Sequence, residues 1–207
     1  MSRTANPERP DELIDRIVPY LTAHGIADLS LRPLAKAIGS SPRVLLYYFG
    51  SSEKMIDRVI ARIRERQHAL YHQLSAQGAP TGRTRATADP AKSYFAIWKH
   101  MTSRTSEPHF RLFFEIYGLA LRHPRRYRAF LHSTNNDWLD FMDDAALRKQ
   151  HGRTKSRALA TIAMAGYRGF LLDYCASHDT ARIDRAVKLW IQSFVALEAQ
   201  PNRRSKR

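Results

Sequence analysis

The chain has 207 residues, 43% hydrophobic and 26% charged, enough to build a real core in one or two compact units. No apolar run approaches the ~20 residues of a membrane span, the first residues lack the apolar segment of a signal peptide, and the single cysteine, Cys175, excludes an internal disulfide framework. A soluble, cytoplasmic protein is expected. The net charge of +15 points to polyanionic partners. Its distribution is uneven: residues 1–60 carry 8 Lys/Arg against 7 Asp/Glu, and residues 91–207 carry 21 against 10.

The pattern is helical throughout, with no sustained strand alternation. Helices are expected near 11–24, 31–38, 42–48, 52–76, 91–104, 108–122, 125–149, 154–177 and 180–198. The first opens on Pro10-Asp11-Glu12, carries the apolar stripe Leu13, Ile14, Ile17, Val18 and Leu21, and ends at Gly25. Pro19 inside it removes a hydrogen bond, so a kink is expected over 15–19.

Residues 30–49 are the most informative. Leu31, Leu34, Ala35 and Ile38 give a short helix an inner face. Gly39 falls where the chain must reverse, a place suited to a residue without a Cβ. Ser41 is placed to cap a second short helix with Pro42 at its first position. Val44, Leu45 and Phe49 then face inward, leaving Arg43 and Tyr47 pointing out. Two short helices about a tight turn, with no acid between residues 30 and 52, follow helix-turn-helix logic, in which the second helix enters the major groove of DNA.

This segment resembles the TetR family of regulators. Ser30 stands for the family's threonine and Leu34-Ala35 for its aliphatic-alanine pair. Gly39, Ser41, Leu45, Phe49, Ser51 and Glu53 follow at the family's spacings. Three positions depart from it: Arg43 replaces a frequent glycine, Leu46 a frequent tyrosine, and Ser52 the usual lysine, with Lys54 two residues later. The resemblance implies an all-α fold of about nine helices. A three-helix helix-turn-helix domain over 1–52 would precede a sensing and dimerisation bundle over 53–200 and a basic tail over 201–207. Arg43 is assigned to base readout and Ser41, Tyr47 and Lys54 to phosphate. Ser30 and Arg32 are placed on the backbone, and Pro42 and Tyr48 at the same contact.

Downstream, 77–90 reads as a polar, turn-prone connection. Aromatic residues crowd 91–149, and the resemblance implies a cavity for a small-molecule effector among them. Tyr94, Trp98, Phe110, Phe114, Tyr117, Trp138 and Met142 form the candidate lining. Small residues along 158–175 permit close helix contact, and 186–197 add a second apolar face. Ala163, Tyr167, Phe170, Trp190 and Phe194 are the candidate homodimer contacts, because the family pairs two such helices per subunit. The resemblance also implies repression as the default, with release of a double-stranded operator when the effector binds. Two other readings stay open. One is a basic helical protein that binds DNA without sequence preference; the other is a helical enzyme with a histidine-based site. No Gly-x-Ser-x-Gly, phosphate-binding glycine loop or Cys-x-x-Cys supports catalysis, and His68 and His72 lack a third metal ligand. No catalytic residue, metal or cofactor is expected.

Overall fold

The computed structural model describes residues 9–78, 89–142 and 145–200. Nine helices occur among them: α1 (Arg9–His24), α2 (Leu31–Ala37), α3 (Pro42–Phe49), α4 (Ser52–Gly78), α5 (Pro90–Met101), α6 (Glu107–Arg122), α7 (Arg128–Met142), α8 (Ala145–Ser177) and α9 (Thr180–Ala199). The described residues form no strand, and none of their helices is long and apolar enough to cross a membrane. Most of the turn-prone stretch at 77–90 and all of the basic tail lie outside the described residues.

Two compact units result, Met1–Gln67 with Pro108–Leu131, and His68–Glu107 with His132–Arg207. The first extends well beyond residues 1–52, and the reason lies in burial. The α1 stripe Leu13, Ile14, Ile17, Val18 and Leu21 is almost completely buried. Leu34, Ala35, Leu45 and Phe49 from α2 and α3 join it in one core cluster, as do Met55, Ile56, Val59 and Ile60 of α4. That cluster is completed by Leu112, Ile116 and Ala120 of α6, with Tyr127 and Phe130 beyond it. The short helices cannot close a core alone, and distant chain supplies the missing apolar surface. α1 runs on through Pro19 as one helix, the proline ring being exposed. On the surface Arg62 and Arg66 of α4 pair with Asp11 and Asp15 of α1 at 2.7 and 2.9 Å.

In the second unit α5 and α8 both pack on α9. α9 buries Ile183, Val187, Ile191 and Phe194, spaced one helical turn apart. Tyrosines strap α5 in place: Tyr167 Oη donates to the Tyr94 carbonyl at 2.8 Å and Tyr174 Oη to that of Thr102 at 3.2 Å. Gly166 lets α8 approach α9, since a Cβ there would lie 2.3 Å from Cζ2 of Trp190. The single helix expected over 125–149 is two: α7 ends at Met142, and Ala145 onward belongs to α8, which breaks at Gly152 (φ 75°, ψ 161°).

Candidate nucleic-acid interface

The geometry of residues 30–54 follows from caps that the chain provides for itself. α2 stops because Gly39 takes φ +66°, which is costly for any residue with a Cβ. The Ser40 amide then donates to the Ala35 carbonyl at 2.8 Å and the Gly39 amide to that of Lys36 at 3.3 Å, satisfying two end carbonyls of the helix. From α1, Arg16 Nη1 donates to the Ile38 carbonyl at 2.8 Å. α3 starts at Pro42, and the Ser41 hydroxyl accepts from the Val44 amide at 3.2 Å. The turn is thus held at both ends by hydrogen bonds of its own.

The outer face of α3 is set by helical spacing. Leu45 and Phe49 are buried, so the opposite positions, Arg43, Leu46 and Tyr47, are exposed. Tyr47 is 70% exposed and Leu46 45%, values that free a phenol and an isobutyl group for an external partner. Tyr47 also stands edge-on to Tyr48, ring centroids 5.0 Å apart. Tyr48 is half-buried against the core cluster, so its ring serves packing first.

The remaining predicted DNA contacts lie at α2, in the turn before α3 and in the first turns of α3 and α4. Ser30 is the N-cap residue of α2, but its side chain makes no capping hydrogen bond and is exposed. Arg32 is exposed, as is Lys36 one turn on. Pro42 is half-buried at the start of α3, and the Ser41 hydroxyl still has its own proton to donate while it caps. Lys54 is exposed in the first turn of α4, and its amide is capped by Ser51 Oγ at 3.3 Å. Ser30, Arg32, Ser41, Arg43, Tyr47 and Lys54 therefore stand in one stretch of chain with polar atoms free to reach out. Leu46 and Lys36 extend the set. The signal for both was present in the helical spacing, three residues from Arg43 and four from Arg32.

A carboxylate from far along the chain supports this region. Glu115 Oε1 on α6 accepts from the amides of Ile26 and Ala27, at 2.8 and 2.6 Å. Those amides belong to the turn between α1 and α2, so α6 is fastened directly to the chain that enters the helix pair.

The candidate effector pocket is placed differently. Trp98 is 0% exposed, closed on all sides, and its Nε1 donates to Asp184 Oδ1 at 2.7 Å. It is a core residue, and Phe110 is buried as well. Tyr94 is half-buried and donates to Glu198 Oε1 at 2.7 Å, while burial pushes the Glu198 carboxyl up. Phe114 and Tyr117 are half-buried and belong to the first unit, whereas Tyr94 and Trp98 belong to the second. The side chains of Trp138 and Met142 lie outside the described residues, as do those of His68 and His72. Among the described residues no group of three His, Cys, Asp or Glu is arranged to hold a metal ion.

Of the candidate dimer residues, Phe170 and Trp190 are half-buried. Ala163, Tyr167 and Phe194 are buried within the protomer. Trp190 stacks against Phe194 at 5.7 Å and meets Tyr167 and Phe170 at 5.0 and 5.6 Å. These large rings fill the interior between α5, α8 and α9, because aromatic area is spent first on the nearest core. The opposite face of α8 is open. Ala158, Ile162, Ala165, Gly169, Leu172 and Ala176 recur at three- and four-residue spacing, and Ile162 and Leu172 among them are large, apolar and exposed. Leu172 is 53% exposed, and Leu189 on α9 67%.

Comparison with known proteins places this architecture. No family model matches the sequence, and no curated protein matches it. Solved structures do. One is described as a TetR-family transcriptional regulator from a Rhodococcus species, with 16% identity, 94% of this chain and 100% of that one covered, and a TM-score of 0.71. Another TetR-family regulator, from Mesorhizobium loti, has 13% identity, coverage of 94% and 98%, and a TM-score of 0.69. The multidrug binding protein EbrR, solved with imidazole, has 19% identity, coverage of 97% and 100%, and a TM-score of 0.65. The chain has the fold of TetR-family transcriptional regulators, all-helical with its helix-turn-helix at α2–α3.

Proposed function

We propose that the protein is a sequence-specific, DNA-binding transcriptional regulator. In this reading it is a cytoplasmic homodimer that represses until a small-molecule effector releases it from its operator. The observation that carries the reading is the outer face of α3. An arginine, a leucine and a tyrosine project from a self-capped helix, and residues 29–52 contain no acid that would repel phosphate. Arg43 suits the paired acceptors of a guanine edge and Leu46 a thymine methyl. Tyr47, Lys54 and the Ser41 hydroxyl suit phosphate oxygens. Dimerisation through the exposed α8–α9 stripe would present two such helices to a two-fold site, about 34 Å apart.

Effector control is supported by the likeness of fold to a ligand-binding protein. EbrR, of similar fold, is described as a multidrug binding protein. An effector would act by preferring the dimer spacing that does not fit DNA, and only to the extent of that preference. The continuous 27-residue α4 is the natural lever.

Selection of bound duplexes from a random-sequence library tests the reading. A two-fold-symmetric motif is expected. Arg43→Ala should relax preference at one base pair per half-site by about 5- to 150-fold, the value of one bidentate base contact. Enrichment of no motif, with binding that fades uniformly as salt rises, would instead favour a basic protein without sequence preference.

A further inference from the structure

We propose that the turn joining α6 to α7, with Arg122, Arg125 and Arg128 as its contacts, grips the sugar-phosphate backbone of the same duplex outside the groove entered by α3. This rests on the regulator reading and adds a contact surface to it.

The turn is rigid. The His123 carbonyl accepts from the amides of Arg126 and Tyr127 at 3.1 and 3.2 Å, and Leu131 donates back to Tyr127 at 3.0 Å. Tyr127 is 3% exposed and anchored in the same core cluster as Leu34, Leu45 and Phe49 of the helix pair. Every arginine around that anchor, Arg122, Arg125, Arg126 and Arg128, is exposed. No Asp or Glu occurs from residue 116 to 131. Arg128 also occupies the first turn of α7, where the helix dipole disfavours a cation. Four guanidinium groups crowded onto seven residues repel one another, an arrangement that an external polyanion relieves.

The turn lies beside the DNA-facing surface. Arg126 Nη2 pairs with Glu53 Oε1 in the first turn of α4. The next residue, Lys54, lies against Gly50, its Nζ 3.9 Å from the position of a Cβ there, and Gly50 caps the C-terminus of α3. Arginine turn, α4 start and α3 end are therefore neighbours in space. Arg126 plays a separate part, because Glu53 is the only acid from residue 29 to 56 and its charge would oppose phosphate if it were unpaired. The other three arginines are left to reach outward. Guanidinium suits a phosphate because its planar fork meets two oxygens at once.

The test is binding to a labelled 40-base-pair duplex of mixed sequence, followed by anisotropy across a salt series. The intact protein is compared with Arg122→Ser/Arg125→Ser/Arg128→Ser, which keeps the Arg126–Glu53 pair. Each lost phosphate contact should flatten the slope of log K against log salt by about 0.9, so a change of about 1–3 per protomer is expected. The corresponding lysine variant should restore most of it, and the preference for the selected motif should stay. An unchanged slope and affinity in the triple serine variant would overturn the proposal. So would a variant that binds duplex normally but loses capture of a poly-glutamate peptide, which would reassign the turn to an acidic protein. If Arg43→Ala relaxes preference at one base pair per half-site while the turn variant changes nothing, this proposal falls and the regulator reading stands. If the intact protein binds no duplex at any salt, both fall.

Discussion

Glu115 allows a quantitative test of how α6 holds the helix-turn-helix. Its carboxylate takes the amides of Ile26 and Ala27, and a hydrogen bond to a charged acceptor is worth about 1.5–3 kcal/mol net. Ala27 is exposed and water can serve its amide, so the two bonds together should lose less than twice that value. For Glu115→Ala we expect about 1–3 kcal/mol of destabilisation, a fall of roughly 0.5–1 M in the urea midpoint at an m-value near 2–3 kcal/mol/M. Glu115→Gln keeps an acceptor oxygen and should cost less than half as much. Gly25 supplies a partner for a double-mutant cycle. A Cβ at this position would sit 2.6 Å from Glu115 Oε2, in a backbone with φ +72°. Gly25→Ala should cost about 1–2 kcal/mol for the left-handed backbone alone, plus displacement of the carboxylate. In the Glu115→Ala background only the backbone part remains, so the double mutant should be more stable than the sum of the singles predicts. A Glu115→Ala protein within about 0.3 kcal/mol of the parent, or strict additivity with Gly25→Ala, would refute this account.

Three further outcomes can be checked. Gly166→Ala drives a methyl into the Trp190 indole; overpacking of this kind costs about 1–3 kcal/mol, which outweighs the ~1 kcal/mol helix gain of alanine, so the thermal midpoint should fall. Leu172→Arg places a charge on the open face of α8 and should convert a dimer to monomer in sedimentation while leaving helix content unchanged. Burial raises the Asp57 carboxyl above its ordinary 3.8, and its Oδ1 is buried with no hydrogen-bond partner among the described residues. The folded state thus holds that proton more tightly than the unfolded one, and the stability this contributes is lost as pH rises through the raised value. Asp57→Asn should therefore be the more stable protein at pH 7, with the advantage shrinking as pH falls toward 4; parallel stability curves would count against it.

What could be read from the sequence was whatever depends on local chemistry. The α1 stripe, the turn at Gly39 and the Ser41-Pro42 start of α3 each follow from a residue's own backbone or capping preference, and each is where it was expected. Boundaries without a local breaker were harder to place. Residues 143–151 are mostly helix formers, so nothing before Gly152 marked where one helix yields to the next. The aromatic residues of α8 and α9 reported burial correctly but not the surface that buries them. Trp190 and Phe194 stack on one another within the protomer, and the open face of α8 is composed of alanines, Gly169, Ile162 and Leu172, which carry little signal in sequence. Trp98 likewise reads as a cavity ring until its indole is seen closed in on all sides. The Glu115 contact joins residues 89 apart, and Arg126 meets Glu53 from 73 positions away. Only the folded chain brings such partners together.

Because hydrogen bonds of Gly39, Ser40, Ser41 and Arg16 hold the α2–α3 turn, α3, the helix proposed to enter the groove, is finished before any duplex arrives. Docking then has little backbone left to order. What it immobilises is a few long side chains, at about 0.5–1.5 kcal/mol each. Such a reader should associate quickly and respond little to helix-inducing cosolvents. Any effector that dislodges it would have to carry the intact corner away from DNA, since melting it would mean breaking caps that owe nothing to the nucleic acid.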